Sequence, residues 1–278
     1  MKGKLYIVST PIGNLEDITL RALRVLKEVD LIACEDTRVT KKLLSHYQIQ
    51  KPLTTYHEHN EKKKAEELLS LLEAGKNIAV VSDAGTPGIS DPGYRLVSLA
   101  SQKGIDVVSI PGPSAAIAAL SVSGLPTSSF IFFGFLPKST KKRRELLESI
   151  KESTQTLVFY ESPNRVIETL KNMFEILGDR QVSVSRELTK MFEETLRGKI
   201  SSIIERLKQK EVIKGEFTIV HEGKVDKIQV SNEILEKELK MLREKGLSLK
   251  DTVKELSRNL GLSKSKVYKE ALKVFKSS

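Results

Sequence analysis

A short β-branched run passes directly into an eleven-residue loop rich in glycine and proline in the segment IAVVSDAGTPGISDPG, residues 78–93. Its first five residues, Ile78–Ser82, have the length and composition of a β-strand. In the loop that follows, glycine lets the backbone approach a ligand closely and proline stiffens the chain. Such a corner after a strand is typical of the ligand-binding edge of a parallel α/β sheet.

Two other predicted strands end in similar corners. Leu5–Ser9 is followed by TPIGN, residues 10–14, and Val107–Ile110 is followed by PGPS, residues 111–114. Taken singly, each corner is more often an ordinary turn. Because the carboxyl ends of parallel strands meet at one edge of a sheet, the three corners together predict one ligand-binding crevice.

Strand-like and helical patterns alternate along most of the chain. The eight predicted strands are Leu5–Ser9, Leu31–Glu35, Ile78–Ser82, Val107–Ile110, Phe130–Phe135, Leu157–Glu161, Val182–Arg186 and Phe217–His221. Helical patterns separate them and three more follow Asn232, which predicts an α/β fold with a mostly parallel sheet. The polar, basic stretch Pro137–Arg144 is predicted to join two halves.

Composition excludes several classes of protein. The chain is 39% hydrophobic and 29% charged, which indicates a soluble protein with a genuine core, and it has no 18-residue apolar run for a membrane helix. The start lacks the apolar region of a secretory signal, so a cytoplasmic location is expected. The single cysteine, Cys34, excludes an internal disulfide framework. The net charge of +10 favours a phosphate-rich partner.

Several common motifs are missing from the sequence. No G-x-G-x-x-G follows the first predicted strand, and neither a phosphate-binding P-loop nor a G-x-S-x-G nucleophile elbow occurs. The run HEH, residues 57–59, lacks the H-E-x-x-H spacing that places two imidazoles on one helix face. A polar loop is therefore predicted there, and no metal site is expected.

Charged clusters close three further predicted strands. They are EDTR, residues 35–38, ESPNR, residues 161–165, and RELTK, residues 186–190. Taken one at a time, these clusters are compatible with helix caps and weak surface ion pairs. Their shared position at the carboxyl ends of strands keeps a functional role open.

The C-terminal segment differs in composition from the rest of the chain. From Lys224 onward, 14 Lys and Arg face 8 Asp and Glu, so +6 of the net charge lies in the last 55 residues. Apolar residues at helical spacing predict two amphipathic helices: Leu249, Val253, Leu256 and Leu260, then Val267, Ala271 and Val274. Gly261 is predicted to end the first and Ser263 to cap the second, which resembles a helix-turn-helix.

A basic stripe runs along the last predicted helix. Lys266, Lys269, Lys273 and Lys276 step by three or four residues. A solvated face explains such a stripe equally well, but the local charge favours contact with a phosphate backbone. The basic run Lys138–Arg144 is expected to extend this surface.

These segments resemble the bacterial ribosomal RNA small-subunit methyltransferase I family. The matching segments, in chain order, are Ile7–Thr19, Glu35–Arg38, Ser82–Gly93, Gly134–Pro137, Tyr160–Pro163 and Arg186–Lys190. The resemblance implies the tetrapyrrole-methylase fold, with two α/β domains, a cofactor cleft between them and a small helical C-terminal module. The expected limits are residues 1–115, 116–225 and 226–278.

The resemblance also implies a reaction. Proteins of this family use S-adenosylmethionine to methylate the ribose 2′-oxygen of a cytidine in the decoding region of 16S rRNA, and a homodimer is expected. The cofactor-binding residues implied by the matching motifs are Pro11, Asp83, Gly85, Ile89, Ser114, Ala115 and Tyr160. The long loop exceeds the corner of the wider class in length, so either Asp83 or Asp91 is the acidic counterpart.

Methyl transfer to a ribose hydroxyl needs alignment and a group that accepts a proton or stabilises the alkoxide. The candidates are Asp36, Glu161, Glu187 and Lys190. The candidates for holding RNA phosphates or the developing charge are Arg38, Arg165 and Arg186, together with Lys266, Lys269 and Lys273 in the tail. The sequence does not choose among these groups.

Two other functions stay open. A methylase of the same fold acting on a tetrapyrrole or another small molecule predicts turnover without the tail and no affinity for RNA. A non-catalytic RNA-binding module predicts salt-dependent RNA binding without affinity for the cofactor.

Overall fold

The computed structural model describes residues 1–225, 232–260 and 262–276. The chain forms two compact units, Met1–Lys224 and Val225–Ser278. The first unit contains two five-stranded sheets, and the described part of the second is helical. None of the described helices is both long enough and apolar enough to cross a membrane. The domain limit near residue 115 stays a prediction.

The first sheet is entirely parallel. Its strands, in chain order, are β1 Leu5–Val8, β2 Leu31–Cys34, β3 Leu53–Thr55, β4 Ile78–Val81 and β5 Val107–Ile110. They lie in the order β3-β2-β4-β1-β5. The accompanying helices are α1 Leu20–Glu28, α2 Thr37–His46, α3 Glu61–Glu73 and α4 Tyr94–Gln102, with a 3-10 turn at Leu15–Asp17.

Successive residues of β4 belong to two different apolar cores. Ala79 and Val81 pack in a cluster with residues of α1 and α2, whereas Ile78 and Val80 pack in a cluster with residues of α3 and α4. Side chains of a strand alternate between the two faces, so both faces of the sheet are covered. This double coverage explains why β4 is apolar at every position. It also directs binding to the strand ends rather than to a sheet face.

The second sheet is mixed. Its strands are β6 Phe130–Phe135, β7 Thr156–Glu161, β8 Gln181–Arg186, β9 Glu194–Lys199 and β10 Phe217–His221, in the order β6-β7-β10-β8-β9. Only β6 and β7 pair in parallel, and the other three pairings are antiparallel. Its helices are α5 Ala115–Val122, α6 Thr140–Ile150, α7 Val166–Leu177 and α8 Ile200–Lys208. The α/β class and all eight predicted strands are confirmed, but the mostly parallel arrangement holds for the first sheet alone.

The prediction that Pro137–Arg144 joins two halves is wrong. This stretch follows β6 inside the second sheet and leads into α6. Arg143 is 1% exposed, donates to Asn172 Oδ1 at 3.0 Å and pairs with Glu168 on α7. Because its charge is used inside the helix packing, Arg143 does not contribute to an exposed basic surface.

The second unit contains α9 Asn232–Glu244, α10 Leu249–Asn259 and α11 Lys264–Lys276. Their shared core is built from Leu235, Leu239, Leu242, Val253, Leu256, Val267, Ala271 and Val274. Ser248 caps α10 by accepting from the amide of Asp251, and Ser263 caps α11 by accepting from the amide of Lys266 at 3.3 Å. The predicted cap at Ser263 is thus confirmed, whereas Gly261 lies outside the described residues.

Candidate active site

A cavity of about 450 Å³ lies at the carboxyl ends of the first sheet. All three predicted corners reach it, through Ile12, the long loop after β4, and Ser114 with Ala115. The opposite wall comes from the second sheet. The cavity is lined by Ile12, Glu35, Asp83, Ala84, Gly85, Thr86, Ile89, Ser90, Asp91, Ser114, Ala115, Phe135, Tyr160, Glu161, Ser162, Pro163, Leu188, Glu216, Phe217 and Thr218. The single crevice expected from the three corners is confirmed.

Hydrogen bonds fix the first corner against the long loop. The amide of Thr10 donates to the carbonyl of Gly85 at 2.8 Å, and the amide of Gly85 donates back to the carbonyl of Thr10 at 3.1 Å. The hydroxyl of Thr10 donates to the carbonyl of Ser82 at 3.0 Å, and the hydroxyls of Ser9 and Thr86 lie 2.8 Å apart. The loop backbone is therefore held in place before a ligand arrives.

Tyr160 belongs to the cavity wall that the second sheet forms. Its hydroxyl accepts a hydrogen bond from the amide of Ala116 at 3.2 Å. Its ring makes edge contacts with Phe132 and Phe135, whose ring centres lie 4.9 and 5.6 Å away. Burial raises the pKa of Tyr160, so the hydroxyl stays protonated.

A glycine in β6 brings Phe135 to the cavity. Gly134 has a φ of +63°, and the register between β6 and β7 shifts between Phe132 and Phe135. A Cβ on Gly134 would lie 2.6 Å from the hydroxyl oxygen of Ser90 in the long loop. Because an L side chain both strains this backbone and meets Ser90, the bulge requires glycine.

Three of the carboxylates that line the cavity, Glu35, Asp83 and Asp91, follow strands of the first sheet. Burial raises the pKa of each of them. For Asp91, burial and the nearby Glu35 raise the pKa to about 6, against a hydrogen bond from Ser82 that lowers it. Within the described residues, no group of three His, Cys, Asp or Glu side chains can hold a metal ion. The acidic lining instead suits a ligand that carries positive charge.

Asp36 lies behind the cavity wall rather than on it. Its amide donates to Asp83 Oδ1 at 3.1 Å, while its carboxylate caps α2 by accepting from the amide of Arg38 at 2.8 Å. The guanidinium of Arg38 also binds both carboxylate oxygens, at 2.6 to 3.2 Å. These bonds lower the pKa of Asp36 to about 2.

Glu161 lines the cavity but has a fully buried side chain. It accepts from the amide of Ser162 at 2.7 Å and from the hydroxyl of Thr169 at 2.6 Å, and it pairs with Arg165 at 2.6 Å. Arg165 donates further to the carbonyl of Leu136 at 3.2 Å. Glu161 and Arg165 thus form one internal ion pair that supports the end of β7.

Glu187 and Lys190 lie in the loop after β8. The ammonium of Lys190 lies 2.9 Å from both Glu187 and Glu216, and its hydrogen bond lowers the pKa of Glu187. Glu187 and Thr189 have φ angles of +52° and +66°, the left-handed region that side chains rarely adopt. Neither Glu187 nor Lys190 lines the cavity.

The loop after β8 packs against the first corner. The amide of Asn14 donates to the hydroxyl of Thr189 at 3.0 Å, and a Cβ on Gly13 would lie 2.5 Å from Cγ of Lys190. In the same region Arg186 donates to the carbonyl of Lys214 at 2.6 Å. The charged cluster at residues 186–190 therefore holds the two sheets' loops together beside the cavity.

Six of the seven expected cofactor contacts lie on the cavity lining: Asp83, Gly85, Ile89, Ser114, Ala115 and Tyr160. Pro11 does not, although its neighbour Ile12 does. Among the four catalytic candidates, only Glu161 reaches the lining. The sequence analysis placed Glu35 in the charged cluster after β2 without naming it as a site residue, and it did not single out Glu216.

The lysines of the tail lie in the second unit. Lys266 and Lys269 are exposed on α11, and Lys273 pairs with Glu270 at 2.8 Å. The side chain of Lys276 lies outside the described residues.

Comparisons with known proteins agree on one group. The sequence model of the tetrapyrrole (corrin/porphyrin) methylase family matches residues 4–204 of this chain. Ribosomal RNA small subunit methyltransferase I of Halalkalibacterium halodurans is 48% identical over 273 residues, 96% of this chain and 94% of that protein. The protein of the same name from Thermotoga maritima is 54% identical over 222 residues, 80% of this chain and 99% of that protein. The matched residues make up almost the whole Thermotoga protein, which is therefore too short to contain a further unit as long as Val225–Ser278.

Solved structures share the fold at low identity. Diphthine synthase has a TM-score of 0.61 at 15% identity, covering 80% of this chain and 91% of that one. Uroporphyrin-III C-methyltransferase from Thermus thermophilus, complexed with S-adenyl homocysteine, has a TM-score of 0.56 at 20% identity, covering 78% of this chain and 97% of that one.

Proposed function

The chain belongs to the tetrapyrrole methylase family, among relatives of ribosomal RNA small subunit methyltransferase I, and from that premise we propose its substrate and reaction. The protein is an S-adenosylmethionine-dependent methyltransferase that acts on ribosomal RNA. The proposed acceptor is the ribose 2′-oxygen of a cytidine in the decoding region of 16S rRNA. The observation that carries this proposal is the cavity at the carboxyl ends of the first sheet, with the carboxylates of Glu35, Asp83 and Asp91 on its lining.

The cavity fits S-adenosylmethionine in size and charge. Its volume of about 450 Å³ falls in the usual range for small-molecule sites. Glu35, Asp83 and Asp91 complement a ligand that carries a sulfonium and an ammonium group. The residues proposed to hold the cofactor are Asp83, Gly85, Ile89, Ser114, Ala115 and Tyr160, with Pro11 fixing the corner that presents Ile12.

When bound, S-adenosylmethionine supplies an electrophilic methyl group on a positively charged sulfur. The protein then has to align the ribose oxygen and keep the site dry, and such positioning accounts for much of the acceleration in reactions of this kind. Phe135, Tyr160 and Phe217 form an apolar wall suited to excluding water. The buried pair of Glu161 and Arg165 is proposed to keep the neighbouring Tyr160 in place.

We propose Asp91 as the group that accepts the ribose proton. A general base works best when its pKa is near the working pH, and burial raises the pKa of Asp91 to about 6. Bonds to Arg38 lower the pKa of Asp36 to about 2, and the bond from Lys190 lowers the pKa of Glu187. Asp36, Glu161, Glu187 and Lys190 are therefore better explained as groups that position the loops around the cavity.

The physiological setting is part of the proposal. The substrate RNA is proposed to belong to the small ribosomal subunit, and the enzyme to act as a homodimer in the cytoplasm. The net charge of +10 and the exposed Lys266 and Lys269 support contact with RNA phosphates. Residues 1–115, 116–225 and 226–278 are the proposed domains.

The test is incubation with methyl-labelled S-adenosylmethionine and small ribosomal subunits that lack modification. After digestion of the RNA to nucleosides, we expect a labelled 2′-O-methylcytidine derivative. Cofactor binding without label in RNA would instead point to a small-molecule acceptor such as a tetrapyrrole. A chain that binds RNA but no cofactor would overturn the enzymatic proposal.

A further inference from the structure

A second cavity of about 750 Å³ lies along α2 at the outer side of the first sheet. It lies between one side of this helix and the segment that leads into β3. It is lined by Thr37, Arg38, Lys41, Leu44, Ser45, Ile49, Gln50, Lys51 and Leu53. We call these nine residues the α2 groove.

The charged residues that line the α2 groove are all positive. Three of its nine residues are cationic, Arg38, Lys41 and Lys51, and no Asp or Glu lines it. Among the described residues, neither Lys41 nor Lys51 has an ion-pair partner. Ser45, Thr37 and Gln50 add neutral hydrogen-bonding groups. A groove with this lining suits a chain of phosphate groups and repels cationic ligands.

The α2 groove begins beside the active-site cavity. Arg38 belongs to its lining and holds Asp36, whose amide donates to Asp83 Oδ1 at 3.1 Å. Asp83 in turn lines the active-site cavity. A polymer that lies in the groove therefore has one end near the active-site cavity. Two residues, Arg38 and Asp36, link that end of the groove to Asp83 on the cavity lining.

The length of the groove fits several phosphates. From Thr37 to Ser45, α2 rises by about 12 Å at 1.5 Å per residue. One strand of a nucleic-acid helix places a phosphate about every 3.4 Å along its axis, so roughly three phosphates match this length. An isolated phosphate or a nucleotide would use only part of it.

We propose that the α2 groove binds the phosphate backbone of the substrate RNA next to the methylated nucleotide. The proposal rests on the proposed function in its choice of RNA as the polyanion. Phosphate contacts carry little sequence information but fix the position of the strand, which is what alignment in the neighbouring cavity requires.

The test uses the full-length chain carrying the charge reversal K41E/K51E. The matched control is K27E/K103E, which changes the net charge equally. Lys27 and Lys103 are exposed near the C-terminal ends of α1 and α4, and neither lines the groove or the active-site cavity. The probe for binding is an unmodified transcript of small-subunit rRNA, measured over a series of salt concentrations. Affinity for S-adenosylmethionine is measured in parallel as a check on the fold of the first unit.

K41E/K51E is expected to weaken RNA binding roughly tenfold relative to the control. The slope of log affinity against log salt should become shallower by about 1.4, since each lost phosphate contact on single-stranded RNA removes about 0.7. Cofactor affinity should not change. The charge-preserving variant K41R/K51R should bind RNA as the unaltered chain does.

Equal RNA affinity and salt slope in K41E/K51E and K27E/K103E would overturn the proposal. Competition by polyglutamate as strong as that by RNA would also overturn it, because the groove would then be a general acidic-polymer site. Groove-dependent RNA binding without methyl transfer would support the groove while rejecting the proposed reaction, so the two proposals fail separately.

Discussion

The hydroxyl of Tyr160 accepts a hydrogen bond from the backbone amide of Ala116, 3.2 Å away. Ala116 lies in the first turn of α5, directly after the corner that ends β5, whereas Tyr160 lies in β7 of the second sheet. This one bond therefore joins the two walls of the active-site cavity.

Replacing Tyr160 by Phe should loosen these walls. The variant leaves the amide of Ala116 unpaired in a partly buried position, which typically costs about 1–3 kcal/mol. We expect cofactor affinity to fall about five- to tenfold with the fold retained, as measured by isothermal titration calorimetry. Y6F, in β1 outside the cavity, should leave the affinity unchanged; an equal loss in both variants would contradict the role of the bond.

Replacing Asp91 by Asn should remove the pH dependence of methyl transfer. If Asp91 accepts the proton, activity falls as the pH drops below its pKa of about 6, because the protonated carboxyl cannot act as a base. D91N should lower kcat by about 100-fold or more at pH 8 and flatten the acid limb. The measurement is single-turnover methyl transfer between pH 5 and 8.

D106N is the matched control for D91N. Asp106 is an exposed carboxylate that pairs with Lys4. The two residues directly precede β5 and β1, at the ends of the strands away from the cavity. A rise in the Kd for S-adenosylmethionine at unchanged kcat in D91N would assign Asp91 to cofactor binding instead of proton transfer.

Replacing Gly134 by Ala should cost more stability than the same change at Gly104. The two glycines have nearly the same φ, +63° and +62°, but no atom lies within 4 Å of the Cβ position at Gly104. The shared backbone strain is about 1–2 kcal/mol, and G134A should add about 1 kcal/mol through contact with Ser90. Urea unfolding measures both, and S90A should remove the added cost. Equal losses in G134A and G104A would show that Ser90 yields freely.

His221 should make the first unit sensitive to acid. Burial lowers the pKa of His221 to about 4, and its Nδ1 donates to the carbonyl of Glu222 at 2.7 Å. The unfolded chain takes up the proton at a higher pH than the folded chain. Stability is therefore full above about pH 6.5 and is lost as the pH falls towards 4, by about 3 kcal/mol at most.

The check is the pH dependence of the free energy of unfolding in H221Q. Glutamine does not titrate, so the decline between pH 6.5 and 4 should be shallower than in the unaltered chain. H46Q, at an exposed histidine of α2, is the control. An unchanged decline in H221Q would mean that other groups cause the acid sensitivity.

Local sequence patterns were enough to locate the cleft. The corners after β1, β4 and β5 are short segments whose glycines and prolines mark strand ends, and the parallel first sheet brings them together. Two strands were missed for physical reasons. β3 has only three residues after a proline, and β9, ETLRGK, carries charges and a glycine that lower its strand propensity.

Properties that depend on distant residues could not be read from the sequence. The direction of pairing in the second sheet depends on which strands become neighbours, and β10 inserts between β7 and β8 although it follows both. Arg143 looked like an exposed cation because its partners Asn172 and Glu168 lie on another helix. The raised pKa of Asp91 likewise depends on its burial in the folded chain and on Glu35, 56 residues earlier in the chain.

The brevity of β3 has a consequence for self-association. It forms one edge of the first sheet, spans only Leu53–Thr55, and begins next to Pro52, which has no amide hydrogen. An open sheet edge is a template for adding strands from other molecules, and short or proline-flanked edge strands suppress it. This end of the sheet is thereby protected against amyloid-like stacking, so copies of the chain that pair have to meet through side chains rather than through a shared β-ladder at β3.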